Sequence, residues 1–244
     1  MLPRMIGTAK SPLRSLLLSA LYSFIPTLLL VAGLALLAAD VLHLPNGYVF
    51  QCLAAFIGLL LALIPFLPQH LPLISFGAAN RVTLVRAGLV ALAAGLIDRT
   101  EITPMQGWFL AVLTVLVLVF DGIDGWLARR YSLHSPFGAR FDMEVDAFFI
   151  LILAILAAQS GKVGGWVLLS GLLRYGFVVL GYVLPWLNQP LPPRKCRQTL
   201  CVLQTAALAL CLTPPLTPPW TTLLAAAALG SLTLSFAVDI YWLW

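Results

Sequence analysis

The sequence predicts an all-α integral membrane protein with about eight transmembrane helices, and three observations carry that prediction. Of the 244 residues, 61% are hydrophobic and only 9% are charged, whereas a soluble domain carries roughly a quarter charged residues. The mean hydropathy is +1.00. Apolar stretches recur at close to the ~20 residues needed to cross ~30 Å of hydrocarbon. Together these exclude a soluble globular fold, a disordered chain, a disulfide scaffold and a nucleic-acid reader.

Taken in order, the expected spans are about 16–38, 48–66, 79–98, 107–127, 137–158, 164–186, 198–213 and 219–241. The first follows a basic start (Arg4, Lys10, Arg14) and so looks like a signal peptide. Its apolar run is too long for a typical signal core and lacks a clean small-x-small site before Asp40, so an uncleaved span is expected. Turn formers separate the spans: Pro45-Asn46-Gly47, the stretch from Pro68 to Pro72, Gly161, the prolines from Pro190 to Pro193, and the Pro/Thr run from Thr213 to Pro219. The seventh span is the shortest, and the side of the C-terminus depends on it. Trp220, Trp242 and Trp244 fit interfacial anchoring. Cys52, Cys196, Cys201 and Cys211 have no CxxC spacing and read as small apolar side chains.

The net charge of +5 reads as a topology signal. With the N-terminus in the cytoplasm, Arg4, Lys10, Arg14, Arg81, Arg86, Arg129, Arg130, Arg140, Arg194, Lys195 and Arg197 all fall near the cytoplasmic side. Only Arg99 and Lys162 fall opposite, so both termini are expected in the cytoplasm. Arg174 falls mid-span and requires a polar cavity or a partner.

The nine acids are distributed unevenly, and five of them (Asp121, Asp124, Asp142, Glu144, Asp146) lie within 26 residues. A carboxylate inside a bilayer costs a few kcal/mol and is usually functional. Asp121 and Asp124 are three apart, and Asp142 and Asp146 four apart, so each pair lies on one helical face. Counting ~1.5 Å per residue from the turn between spans four and five puts the two pairs at matching depths. Unpaired, four such carboxylates repel one another. Two divalent cations balance them, and an all-oxygen site with no nearby Cys and no required His suits Mg²⁺ or Mn²⁺. Such a site is matched to displacement at phosphorus. Gly125 and Ala128 leave room beside it, and Arg129 is placed to hold a phosphate through paired hydrogen bonds.

The pattern Asp121-xx-Asp124-Gly125-xx-Ala128-Arg129-x8-Gly138-xxx-Asp142-xxx-Asp146 resembles the signature of the CDP-alcohol phosphotransferase family, with every fixed position filled. Asn80-xx-Thr83-xx-Arg86 resembles, more weakly, the family's first core helix. The resemblance covers about 79–241. It implies a six-helix membrane domain at 79–244, preceded by an added pair of helices at 1–78. It also implies transfer of a substituted phosphate from a CDP-linked donor to an alcohol, release of CMP, and a homodimer. By position, Asp121, Asp124 and Asp142 would hold one metal, and Asp121, Asp142 and Asp146 the other. Asp146 would also be the base for the acceptor hydroxyl. Gly125, Ala128, Arg129 and Gly138 would line the CDP site, with polar contacts from Asn80 and Thr83.

The expected function is therefore phospholipid synthesis at the cytoplasmic face of a bacterial plasma membrane. Either CDP-diacylglycerol meets a polar alcohol or a CDP-linked headgroup meets a lipid alcohol. Arg174, Arg194, Lys195 and Arg197 are acceptor-binding candidates, against bundle pairing for Arg174 and topology for the other three. Glu144 is expected to pair with Arg140 or another base, His134 to sit in the turn, and Arg130 and Arg140 to anchor headgroups. The alternatives are a cation or proton transporter using the aspartates, and an inactive scaffold of the same family.

Overall fold

The computed structural model describes residues 12–45, 47–98, 101–131, 135–184, 186, 189 and 195–243. Among them there are helices and no strands. Eight α-helices follow one another: α1 (Pro12–Val41), α2 (Gly47–Leu63), α3 (Ala78–Ala94), α4 (Pro104–Arg130), α5 (Pro136–Gln159), α6 (Leu169–Val183), α7 (Lys195–Leu212) and α8 (Trp220–Leu243). Short 3-10 turns, Ile64–His70 and Gly165–Leu168, extend α2 and lead into α6. Among the described residues, five segments are long and apolar enough to cross a membrane: Pro12–Val41, Gly47–His70, Pro104–Arg130, Gly165–Val183 and Trp220–Leu243. The apolar part of α7, Gln198–Leu212, is shorter. Large apolar side chains such as Leu29, Val119, Val183 and Leu234 lie exposed on the bundle surface, as contact with lipid requires. Trp220 and Trp242 are exposed at the two ends of α8, and Trp244 lies outside the described residues.

Local chemistry sets the two helix starts that matter most. Thr103 and Gln106 form a reciprocal capping box ahead of α4, with Pro104 in the first turn. Ser135 caps α5 by accepting from the Gly138 amide, again with proline next. α4 thus ends at Arg130 and α5 begins at Pro136, and both helices pack against α3 and α7.

α3 is the centre of the bundle, in contact with α1, α2, α4 and α5. Nearly all of it from Thr83 to Ala94 is buried, and its small residues permit close approach. A Cβ on Gly88 would stand 2.4 Å from Val31 Cγ2, and one on Gly95 2.4 Å from Cys52 Sγ. The Tyr48 hydroxyl donates to the Leu92 carbonyl at 2.9 Å. The Phe76 amide donates to Ser19 Oγ at 3.0 Å. The first two helices thus share one core with α3, α4, α5, α7 and α8.

In α6, Gly171 is a packing site, since an added Cβ would lie 2.5 Å from Leu151 Cα on α5, while Gly176 and, in the 3-10 turn before it, Gly165 face open space. At the end of α5 remote from Ser135, Lys162 Nζ donates to the Thr213 carbonyl at 2.6 Å. Thr221 Oγ1 donates back to the Lys162 carbonyl at 2.7 Å. Desolvation at this turn lowers the Lys162 pKa from its ordinary value.

Candidate active site

The last three turns of α4, the first three of α5 and the middle of α3 converge. Asp121 and Asp124 come from α4, Asp142 and Asp146 from α5, and the guanidinium of Arg86 from α3 stands among all four. Nη1 of Arg86 contacts Asp121 and lies 3.2 Å from Asp124 Oδ2. Nη2 contacts Asp142 and lies 3.4 Å from Asp146 Oδ1. The Arg86 side chain is 0% exposed.

This corrects two readings from sequence. Arg86 marks no membrane face, and the four aspartates are not unpaired. A charge placed by its depth along a helix looks like an interfacial anchor, but rotation about the α3 axis turns it inward. One guanidinium against four carboxylates still leaves an excess of three negative charges.

The carboxylates differ in setting. Asp121, Asp142 and Asp146 are 31%, 42% and 31% exposed, against 6% for Asp124. One oxygen from each of the first three lies within 4.8 Å of the others, close enough to share a cation. Asp124 is turned aside, with its Oδ2 2.9 Å from the Thr83 hydroxyl. Hard oxygen donors carrying excess negative charge suit Mg²⁺ or Mn²⁺. Asp121, Asp142 and Asp146 therefore fit as ligands, with Asp124 adjacent.

A cavity of about 510 Å³ opens beside the carboxylates. Asn80, Thr83, Gly125, Ala128, Arg129 and Gly138 all line it, as does Asp142. An added Cβ on Gly125 would meet Arg129 Nη1 at 3.2 Å, so the guanidinium folds over that glycine. One on Gly138 would meet Asn80 Oδ1 at 3.0 Å and Ser135 Oγ at 3.2 Å. Asn80 Nδ2 donates to the Phe76 carbonyl at 2.8 Å.

Two further polar wall residues, Ser135 and Gln198, escaped the sequence reading. The Ser-Pro pair opening α5 signals a helix cap and nothing about a cavity, and no sequence signal singled out Gln198. Cys201 on α7 also lies near the centre, its Sγ 3.9 Å from Asp146 Oδ2. Cys52 and Cys211 are buried as small apolar groups.

The acceptor candidates separate. Arg174 pairs with Glu144 at 2.8 Å, which gives Glu144 a base other than Arg140. Arg140 lies over the Phe66 ring, 3.6 Å from its centroid, so the expected headgroup anchor packs on the 3-10 turn after α2 instead. Arg194 and His134 lie outside the described residues, as do the side chains of Lys195 and Arg197.

Comparison with known proteins places this geometry in context. Residues 76–238 match the family described as CDP-alcohol phosphatidyltransferase. A curated relative from Cereibacter sphaeroides, named CDP-diacylglycerol–glycerol-3-phosphate 3-phosphatidyltransferase, is 37% identical over 67 residues, 27% of this chain and 30% of the relative. The chain therefore matches under a third of that relative's length. No solved structure matches.

Proposed function

Because the chain belongs to the CDP-alcohol phosphatidyltransferase family, we propose that it transfers a substituted phosphate from a CDP-linked donor to an alcohol in phospholipid synthesis, with divalent metal and release of CMP. The observation that carries this reading is the four-aspartate centre opening onto a cavity lined by Gly125, Ala128, Arg129 and Gly138. In this reading Asn80 and Thr83 supply polar contacts to the nucleotide, and Arg129 holds a phosphate by paired hydrogen bonds. Gly125, Ala128 and Gly138 keep the cavity open.

Asp121, Asp124, Asp142 and Asp146 hold the two cations in this proposal. Bound there, Mg²⁺ or Mn²⁺ would offset carboxylate charge and stabilise charge on the phosphate oxygens. Arg86 keeps the carboxylates together in the buried interior. Asp146 accepts the proton of the acceptor hydroxyl. The acceptor oxygen bonds to the phosphorus bearing the transferred group, the bridging P–O bond breaks, and CMP leaves with the electron pair.

The Cereibacter relative's name makes CDP-diacylglycerol and glycerol 3-phosphate the first pair to test. Arg174, Arg194, Lys195 and Arg197 remain acceptor candidates. A homodimer with its site facing the cytoplasm of a bacterial plasma membrane belongs to the same proposal, supported by the positive-inside pattern and the family's habit.

The deciding experiment is CMP release by the purified protein with a panel of CDP-linked donors and alcohols, with and without chelator. Metal-dependent turnover lost in Asp146→Asn is the expected result. Turnover that survives chelation would remove the metals, and turnover unchanged in Asp146→Asn would remove the base. Cation flux into liposomes without nucleotide binding would favour a transporter.

A further inference from the structure

His70 precedes the family-matched region 76–238, at the end of the 3-10 turn that extends α2. It is nevertheless 2% exposed and in contact with the cavity wall. Its Nε2 lies 2.9 Å from the Ser75 carbonyl oxygen, and its Nδ1 lies 2.7 Å from Ser135 Oγ. A carbonyl only accepts, so Nε2 carries hydrogen, and in the neutral ring Nδ1 accepts from the Ser135 hydroxyl. Phe137 holds the ring edge-on, with centroids 5.8 Å apart and planes at 79°.

Ser135 Oγ in turn accepts from the Gly138 amide at 3.0 Å. A serine hydroxyl normally rotates to suit its neighbours, and here a donor and an acceptor fix it together. Its oxygen and Asn80 Oδ1 bound the space over Gly138, and all three residues line the cavity. The rotamer of Ser135 therefore sets both the cap of the helix that carries Asp142 and Asp146 and the shape of the cavity wall.

We infer that His70 is a positioning residue for the nucleotide cavity, holding Ser135 on the cap of α5 and making the segment that follows α1 and α2 part of the working site. This rests on the reading of the cavity as the CDP-donor site. His70 touches no reacting group. It acts through Ser135, so its loss moves donor binding more than turnover at saturation.

The test uses the full chain in nanodiscs, with CMP in the presence of Mg²⁺ as the binding probe. His70→Ala weakens CMP binding about tenfold, the scale of one lost hydrogen bond. It raises the KM for the CDP-linked donor similarly, with kcat held within about twofold. His70→Asn, whose side-chain oxygen can accept from Ser135, recovers most of the loss. The Gly138 amide exchanges hydrogen faster in His70→Ala than in the wild type or His70→Asn. Equal CMP binding by wild type and His70→Ala overturns the inference alone. So do unchanged exchange at Gly138, and a lowered melting temperature shared by both variants with no change in donor KM. No CMP binding by the wild type would overturn the cavity's assignment and this inference with it.

Discussion

Thr83 on α3 places its hydroxyl 2.9 Å from Oδ2 of Asp124 on α4, tying the least exposed of the four aspartates to the centre of the bundle. A hydrogen bond to a charged group is worth about 1.5–3 kcal/mol. Thr83→Val should therefore lower kcat/KM for CMP release by about 10- to 100-fold, while Thr83→Ser should stay within about threefold. Equal rates in the two variants would show that the hydroxyl does not hold Asp124.

Arg86 is the only cation whose contacts reach all four aspartates among the described residues. Removing one partner from a buried ionic cluster costs about 3–5 kcal/mol. Arg86→Met should melt well below the wild type in detergent. Added Mg²⁺ or Mn²⁺ should raise its melting temperature more than it raises the wild type's, since the carboxylates then lack their internal counter-charge. Arg86→Lys should fall between the two, keeping the charge and losing the two-armed contact. Melting curves with metal and with chelator check all three.

Gly125 and Gly138 face one cavity but predict different outcomes. At Gly125 an added methyl meets the tip of a flexible Arg129 side chain, which can swing away. Gly125→Ala should raise the donor KM and leave the melting temperature unchanged. At Gly138 the methyl meets Asn80 and the capping Ser135, both held by hydrogen bonds. Gly138→Ala should raise the donor KM and also destabilise by about 1–3 kcal/mol, as overpacking does. Paired kinetics and thermal melts separate the two.

Arg174 and Glu144 face each other at 2.8 Å, 28% and 18% exposed. If pairing is the role of Arg174, Arg174→Ala, Glu144→Ala and the double variant should behave alike, because each removes one interaction. If Arg174 also binds the acceptor, Arg174→Ala alone should raise the acceptor KM by tenfold or so. Acceptor titrations of the three variants decide between these roles.

The helices and the aspartates were legible from sequence because their signals are local. Hydropathy over ~20 residues marks a span, and offsets of three and four place Asp121 with Asp124 and Asp142 with Asp146 on single faces. Gly125, Ala128 and Arg129 follow from the same short-range spacing, and Gly138 was implied by the family resemblance. Arg86 was placed on the cytoplasmic side from its depth, and its place in the weaker Asn80-xx-Thr83-xx-Arg86 resemblance gave it no partner; depth does not say which way a helix is turned. Nothing near His70 in the chain distinguishes it from a histidine in a proline-rich loop.

The sequence by itself determined the membrane class, the eight helices and the four carboxylates, since each depends on residues within a few turns of one another. Only the tertiary structure decided that Arg86 stands among those carboxylates, that Asp124 turns toward Thr83, that Glu144 takes Arg174, and that His70 reaches Ser135. These contacts join residues 30 to 65 positions apart. They depend on how each helix is rotated and set against its neighbours around α3, which is a property of the packed bundle and has no counterpart in any one segment.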